Sequence, residues 1–365
     1  MTCKHRNIVD TIPSYKQGKP APKLEGVRAY KISSNENPYE PLDSVKETIT
    51  TRALDVINRY PNMRGTEVVD QLAKCFNVTP DEVVLGCGST EVITQLVNFV
   101  AGPGDEVVYP WRSFEAYPII VTSAGATSVQ IPNRKDGSHD IDAMIAAIND
   151  RTRLVILNNP NNPTSTALSE EEARKVLDAV PSDVLVLIDE AYVQFNTAAG
   201  AADGMKLYCD YPNVVVAQTF SKAYGLAGLR IGYAVAPADV VDGMRKVAVP
   251  FGVSQIAQVA ALASLKDEAS AQMRVRVDAL VAERERVISA LRKQGWNVED
   301  AFANFFWMPF GADTERATEY FVAGGLSVRA FAGEGIRISI GENEANDRVL
   351  TICEKLKNDG FSLNN

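Results

Sequence analysis

Between Glu82 and Ala236, seven short apolar runs alternate with helix-like segments, and few architectures accept that alternation. The runs are Glu82–Leu85, Glu106–Tyr109, Thr127–Ile131, Leu154–Leu157, Val184–Asp189, Val214–Gln218 and Ile231–Ala236. Most are nearly continuous in Val, Ile and Leu, so they read as strands buried on both faces. The intervening stretches Thr90–Val100, Phe114–Ala124, Ile141–Ile148 and Ser169–Val180 carry helical spacing. Ser169-Glu170-Glu171-Glu172 opens the last of them as a capping box. The pattern predicts an α/β fold with a mostly parallel seven-stranded sheet flanked by helices. Ligands of such sheets sit beyond the C-terminal strand ends.

After Pro250 the texture changes. Ser254 to about Gly295 reads as helix, followed by a strand at Asn304–Met308, a helix at Thr314–Ala323, strands at Ser327–Ala330 and Arg337–Ile340, and a helix at Asn343–Asn358. This predicts a smaller α+β domain over 250–365, a large domain over 33–249, and an N-terminal arm over 1–32. A formal net charge of −9 argues against nucleic acid or an anionic membrane as partner. No apolar run approaches the roughly 20 residues of a membrane span. Five cysteines, scattered and odd in number, suit a reducing cytoplasm. His5 and His139 both fall in polar, turn-like sequence, so both are expected at the surface, and no histidine triad or metal site is expected.

Chemistry concentrates at the strand ends. Thr219-Phe220-Ser221-Lys222 through Arg230 sets one lysine among hydroxyls and glycines, with an arginine eight residues on. Cationic neighbours and partial desolvation lower a lysine's pKa and make it a nucleophile. Hydroxyls and arginine suit a phosphate dianion. Lysine plus phosphate cradle points to pyridoxal 5'-phosphate (PLP). Asp189 ends its strand where a carboxylate would hold a pyridine nitrogen protonated, although a helix cap is the plain alternative. Asn158-Asn159-Pro160-Asn161-Asn162-Pro163-Thr164 makes a stiff loop from which Asn162 reaches a ring oxygen, with Tyr192 beside it. Gly86-Cys87-Gly88-Ser89-Thr90-Glu91 fails the dinucleotide pattern, because Glu91 stands where a third glycine is needed, and reads instead as an anion cup. Arg329 and Arg337 lie in apolar surroundings and need anionic partners, either a substrate carboxylate or an internal acid. Among Trp111, Phe114 and Tyr117, one ring is placed to stack on the cofactor, with core packing as the alternative.

Asn162, Asp189, Tyr192, Lys222 and Arg230, in that order, resemble the fold-type I PLP-dependent aminotransferases along nearly the whole chain. Ser33-Ser34-Asn35-Glu36-Asn37-Pro38, Asn58-Arg59-Tyr60-Pro61 and the Asn-Asn-Pro-Thr loop are similar to the histidinol-phosphate aminotransferase branch. Pro110-Trp111-Arg112-Ser113-Phe114-Glu115-Ala116-Tyr117-Pro118 and Ser221–Arg230 are closer to a sub-branch, the actinobacterial aromatic amino-acid (phenylalanine) aminotransferases. The resemblance implies that Lys222 is the Schiff-base lysine and proton shuttle of a ping-pong reaction, and that Asp189 is the pyridinium partner. It implies that Asn162 and Tyr192 meet the ring oxygen, that Ser89, Thr90, Thr219, Ser221 and Arg230 hold the phosphate, and that Phe114 stacks on the ring. It further implies a homodimer with shared sites, Tyr60 reaching the neighbouring subunit's cofactor phosphate. Arg337 would clamp the α-carboxylate, with Arg329, Asn35 and Tyr117 also facing the substrate. The implied substrates are an aromatic amino acid and 2-oxoglutarate; histidinol phosphate is the alternative, with Arg329 as its extra cation. Ser165 departs from the family's glycine, and the N-terminus lacks the Tyr-Gly segment that many histidinol-phosphate enzymes lay over the substrate.

Overall fold

The computed structural model describes every residue except 1–3, 5, 19, 22–24 and 365, so His5 lies outside the described residues. Its strands are β1 (Tyr30–Lys31), β2 (Val83–Gly86), β3 (Glu106–Trp111), β4 (Thr127–Pro132), β5 (Thr152–Asn158), β6 (Leu185–Asp189), β7 (Val214–Thr219), β8 (Gly232–Val235), β9 (Phe305–Met308), β10 (Leu326–Ser327), β11 (Arg329–Phe331) and β12 (Gly335–Ser339). The seven predicted runs become one sheet in the order β2-β8-β7-β6-β5-β3-β4. Neighbours run parallel except at β8, which is antiparallel to both β7 and β2. The connection 220–231 holds only the single turn Ala227–Leu229. It cannot carry the chain across the sheet as a helical crossover would, so the strand returns beside β7 in the opposite direction.

Alternate residues of the central strands enter two cores. Val107, Tyr109, Leu154, Ile156, Leu187, Val215 and Ala217 pack on one face, with the helices Ser89–Val100 and Ala116–Ala124. Val108, Val155, Leu157, Val186, Ile188, Val214 and Val216 pack on the other, with Glu170–Ala179. Both faces are therefore dry, as the unbroken apolar runs required. The Ser169–Glu172 capping box forms as predicted, the Ser169 hydroxyl accepting from the Glu172 amide. Helices Asp43–Arg52, Thr66–Phe76, Gly204–Asp210 and Ala238–Val247 add to the predicted elements. Of these, Thr66–Phe76 has a visible cause in the sequence, because Val68, Val69, Leu72 and Ala73 form one buried stripe.

Beyond residue 254 lie helices Gln255–Ser264 and Asp267–Lys293, then a three-stranded antiparallel sheet, β11-β12-β9. Phe305, Phe306, Ile336 and Ile338 build its core against the long helix and Asn343–Asn358. The predicted strand Ser327–Ala330 is split. Ser327 ends β10, which pairs in parallel with β1, whereas Arg329 opens β11, which pairs with β12. Val328 is where the chain changes partner. Tyr30 and Ile32 are buried in this same core, so the stretch leading out of the N-terminal segment is packed into it through the separate β1-β10 pair. No helix among the described residues is long and apolar enough to cross a membrane.

Candidate active site

Register brings the site together at one sheet edge. Asn158 at the end of β5 is the partner of Asp189 at the end of β6, and Thr219 at the end of β7 is the partner of Gly232 at the start of β8. Gly86, closing β2, faces Gly232 from the other side. A cavity of about 290 Å³ opens above this edge, lined by residues that include Asn158, Asn162, Asp189, Tyr192, Lys222 and Arg230. An adjoining recess of about 80 Å³ shares Phe114, Asn162, Tyr192 and Lys222, and reaches Arg329, Phe331 and Arg337 on the small sheet.

Lys222 projects from the loop after β7, its Nζ donating to the Ser34 carbonyl at 3.1 Å and lying 5.6 Å from the centre of the Tyr192 ring. Desolvation, and then the Arg337 charge, lowers its pKa to about 7. Asp189 is 3% exposed and is held from below: the Tyr117 hydroxyl donates to Oδ2 at 2.6 Å, and the Ala191 amide donates to Oδ1 at 3.3 Å. Burial raises its pKa to about 6. No cation pairs with this carboxylate among the described residues, and a protonated ring nitrogen would fill that role. Tyr117, expected at the substrate, is instead fully buried beneath Asp189. The Asp189 strand end draws its hydroxyl inward, and Phe114 packs edge-on against it at 5.5 Å while lining the cavity.

A second cluster forms the anion cup. Ser89 and Thr90 begin helix Ser89–Val100 at the cavity, and the Thr219 hydroxyl donates to Ser221 Oγ at 2.9 Å. Arg230 adopts a left-handed backbone, φ 58°, and its Nη1 approaches Ser221 Oγ at 3.4 Å. Two glycines leave room for this convergence. A Cβ on Gly88 would stand 2.6 Å from Arg230 Nη2, and one on Gly232 would stand 2.4 Å from the Ser89 amide nitrogen. Hydroxyls, a helix start and a guanidinium so packed fit a phosphate monoester.

The third cluster faces the small sheet. Arg337 is 7% exposed, with Nη1 donating to Asn162 Oδ1 at 2.6 Å and Nη2 to the Ser33 carbonyl at 2.7 Å; its Nε has no partner among the described residues. Asn35 lies behind Tyr192: its Nδ2 donates to the Tyr192 hydroxyl at 2.9 Å, and its Oδ1 accepts from Ser339. It orients Tyr192 and also lines the recess. Arg329 is ion-paired to Glu115 at 2.5 Å. Glu115 is a site residue that the sequence does not single out, although it adjoins Phe114 in the same motif. Tyr15 and Gln17 also line the cavity, so the N-terminal segment does cover the site without a Tyr-Gly pair.

Tyr60 and His139 lie outside the residues that line the cavity. Tyr60 is 83% exposed and rests on Phe251 at 4.7 Å, outside this chain's cavity. His139, expected at the surface, is 5% exposed beside Asn161, with neither ring nitrogen in good hydrogen-bonding geometry to any described residue. The turn it occupies folds against the Asn161–Thr166 loop, where the Gly137 carbonyl accepts from Thr166, and burial lowers its pKa to about 4.

Residues 29–352 match the family described as aminotransferase class I and II. The chain is 51% identical to an aromatic amino acid aminotransferase of Streptomyces coelicolor, over 97% of this chain and 98% of that protein. It is 49% identical to one from Cutibacterium acnes, over 96% and 97%. Among solved structures, histidinol-phosphate aminotransferase from Sinorhizobium meliloti, in complex with pyridoxal-5'-phosphate, superposes with a TM-score of 0.82 at 26% identity, over 90% of this chain and 91% of that one. A Thermus thermophilus aspartate aminotransferase variant shares the fold, with a TM-score of 0.81 at 23% identity over 91% and 92%.

Proposed function

The chain belongs to the class I and II aminotransferases, and on that premise we propose that it transfers the amino group of an aromatic amino acid to 2-oxoglutarate. The observation that carries this reading is Arg337: a buried arginine, hydrogen-bonded among the described residues only to neutral oxygens, faces a recess walled by Phe114, Phe331 and Tyr192. A carboxylate and an aryl ring satisfy both features at once. Relatives named aromatic amino acid aminotransferase, at up to 51% identity, support the same substrate class.

Bound pyridoxal 5'-phosphate would supply an aldehyde to the amine and a ring that takes up electron density from the substrate's α-carbon. Ser89, Thr90, Thr219, Ser221 and Arg230 would hold its phosphate, and Asp189 its ring nitrogen. Asn162 and Tyr192 would meet the ring oxygen, and Phe114 would cover one face. Lys222 Nζ, partly uncharged at neutral pH, holds and moves the substrate α-proton. Arg337 fixes the carboxylate, which orients the α-carbon toward Lys222. Tyr60 would complete the phosphate site of a second subunit in a homodimer. Cys75, Cys87, Cys209 and Cys353 are unpaired, which suits the cytoplasm.

The test is a comparison of kcat/KM for phenylalanine and for histidinol phosphate, each with 2-oxoglutarate. Phenylalanine is expected to lead; equal or faster turnover of histidinol phosphate would replace the aromatic reading with the alternative. Lys222→Ala is expected to lower kcat by roughly a thousandfold or more.

A further inference from the structure

The two arginines on the small-sheet wall are not equivalent. Arg329 on β11 and Arg337 on β12 are register partners across an antiparallel pair, so their side chains leave the same face next to each other. Both are nine-tenths buried. Two like charges so placed repel, and each depends on a nearby anion to offset its desolvation. Arg337 has no ion pair among the described residues; its guanidinium donates to Asn162 Oδ1 and the Ser33 carbonyl, lies 5.4 Å from the centre of the Phe305 ring, and feels Glu115 only as a charge at a distance. Arg329 has one. Its Nη2 meets Glu115 Oε2 at 2.5 Å, its Nη1 lies 3.5 Å from the Gln17 carbonyl, and its guanidinium sits 5.3 Å from the centre of the Phe331 ring. Glu115 comes from the opposite wall, one residue past Phe114, and lines the same recess.

The net cationic charge offered to a ligand is therefore one, on Arg337. That matches a carboxylate. A phosphate monoester carried where an amino acid has its carboxylate is larger, nearly dianionic at neutral pH, and wants both guanidinium groups. It would find Arg329 engaged and the Glu115 carboxylate beside it.

We propose that Glu115 is a specificity-determining residue: by neutralising Arg329 it restricts this wall to carboxylate substrates and rejects amino compounds bearing a phosphate monoester in the carboxylate's place. This rests on the aromatic amino-acid reading given above. Without Glu115, the Arg329–Arg337 pair becomes a two-arginine clamp for a phosphate.

The experiment uses the holoenzyme and its Glu115→Gln variant, each assayed with phenylalanine and with histidinol phosphate against 2-oxoglutarate. The ratio of the two kcat/KM values is expected to move toward histidinol phosphate by about tenfold or more, the worth of one charge-assisted hydrogen bond. Millimolar inorganic phosphate is expected to raise the thermal midpoint of the variant holoenzyme more than that of the native one. Adding Arg329→Gln to the variant should return the ratio toward native. An unchanged ratio in Glu115→Gln, or a gain that survives loss of Arg329, overturns the proposal. Should Glu115→Gln fail to fold, Glu115→Asp, which withdraws the charge by one methylene, is expected to shift the ratio in the same direction by a smaller factor, and no shift overturns the proposal. The two readings fail separately: native enzyme that prefers histidinol phosphate sinks the aromatic assignment, whereas native preference for phenylalanine with an unmoved variant ratio sinks only the role of Glu115.

Discussion

Lys222 owes its reactivity to its surroundings. With its pKa lowered to about 7, the ammonium loses its proton well before an exposed lysine would. Its neutral, nucleophilic form prevails above that value and disappears below it. The rate at which cofactor-free protein captures pyridoxal phosphate should therefore rise with pH through about 7 and then level off; stopped-flow absorbance would follow it, and a rise centred near 10 would contradict the assignment. Tyr117→Phe removes a single hydroxyl from beneath Asp189. Its expected effect is about a tenfold rise in the cofactor dissociation constant, the worth of one hydrogen bond to a charged group, read by fluorescence titration. An unchanged constant would make Tyr117 a packing residue only. Asp189 and Lys222 are legible in the sequence because each follows an unbroken apolar strand, which fixes where its side chain emerges. The places of Tyr117, Glu115 and His139 are not, because their surroundings arrive from distant chain: Tyr117 meets Asp189 across 72 residues, and Glu115 meets Arg329 across 214.

At the level of elements, Ser165 joins two parts of the molecule. Its backbone is left-handed, φ 64°, in the loop after β5. Its hydroxyl donates to the Phe305 carbonyl at 2.8 Å and accepts from the Phe302 and Ala303 amides at 3.1 and 2.9 Å. The Asn162 loop is thereby fastened to the start of β9. Ser165→Ala strands the Ala303 amide and the Phe305 carbonyl, while the Phe302 amide keeps the Ser165 carbonyl at 2.8 Å, and it keeps the backbone strain, at a cost of about 2 kcal/mol. Ser165→Gly loses the same bonds but relieves the left-handed φ, so it should be the milder change by up to about 1 kcal/mol. Urea denaturation should rank native above Gly above Ala; Ala ranking above Gly would refute this account. The central strands of the large sheet are readable to within one or two residues because both their faces are buried. The break at Val328 is not, since nothing local in Ser327–Ala330 marks a change of hydrogen-bonding partner.

For the whole molecule, several of the exposed apolar side chains lie in two stretches that come together. Ile57, Tyr60 and Met63 are 67%, 83% and 60% exposed, and Val249 and Phe251 are 65% and 41%. Tyr60 against Phe251 shows that the two stretches meet. Such a patch fits the proposed homodimer, whose mass by sedimentation should be twice 39.7 kDa. Val249→Glu would then lower dimer content and activity together, and an undiminished dimer would remove this patch from the interface. Nothing in the periodicity of 55–64 announces the patch; only resemblance singles out Tyr60.

The reversal at β8 has a consequence for how the site can vary. Because Thr219 and Gly232 are locked side by side, the segment from Phe220 to Ile231 is a closed loop with both feet at the cavity rim. A residue inserted there would change the spacing between Lys222 and Arg230, and Gly232, already against the Ser89 amide, leaves no room at that foot of the loop to absorb the shift. Lysine and arginine thus travel as one cassette of fixed length, and substrate range has to be tuned from the opposite walls.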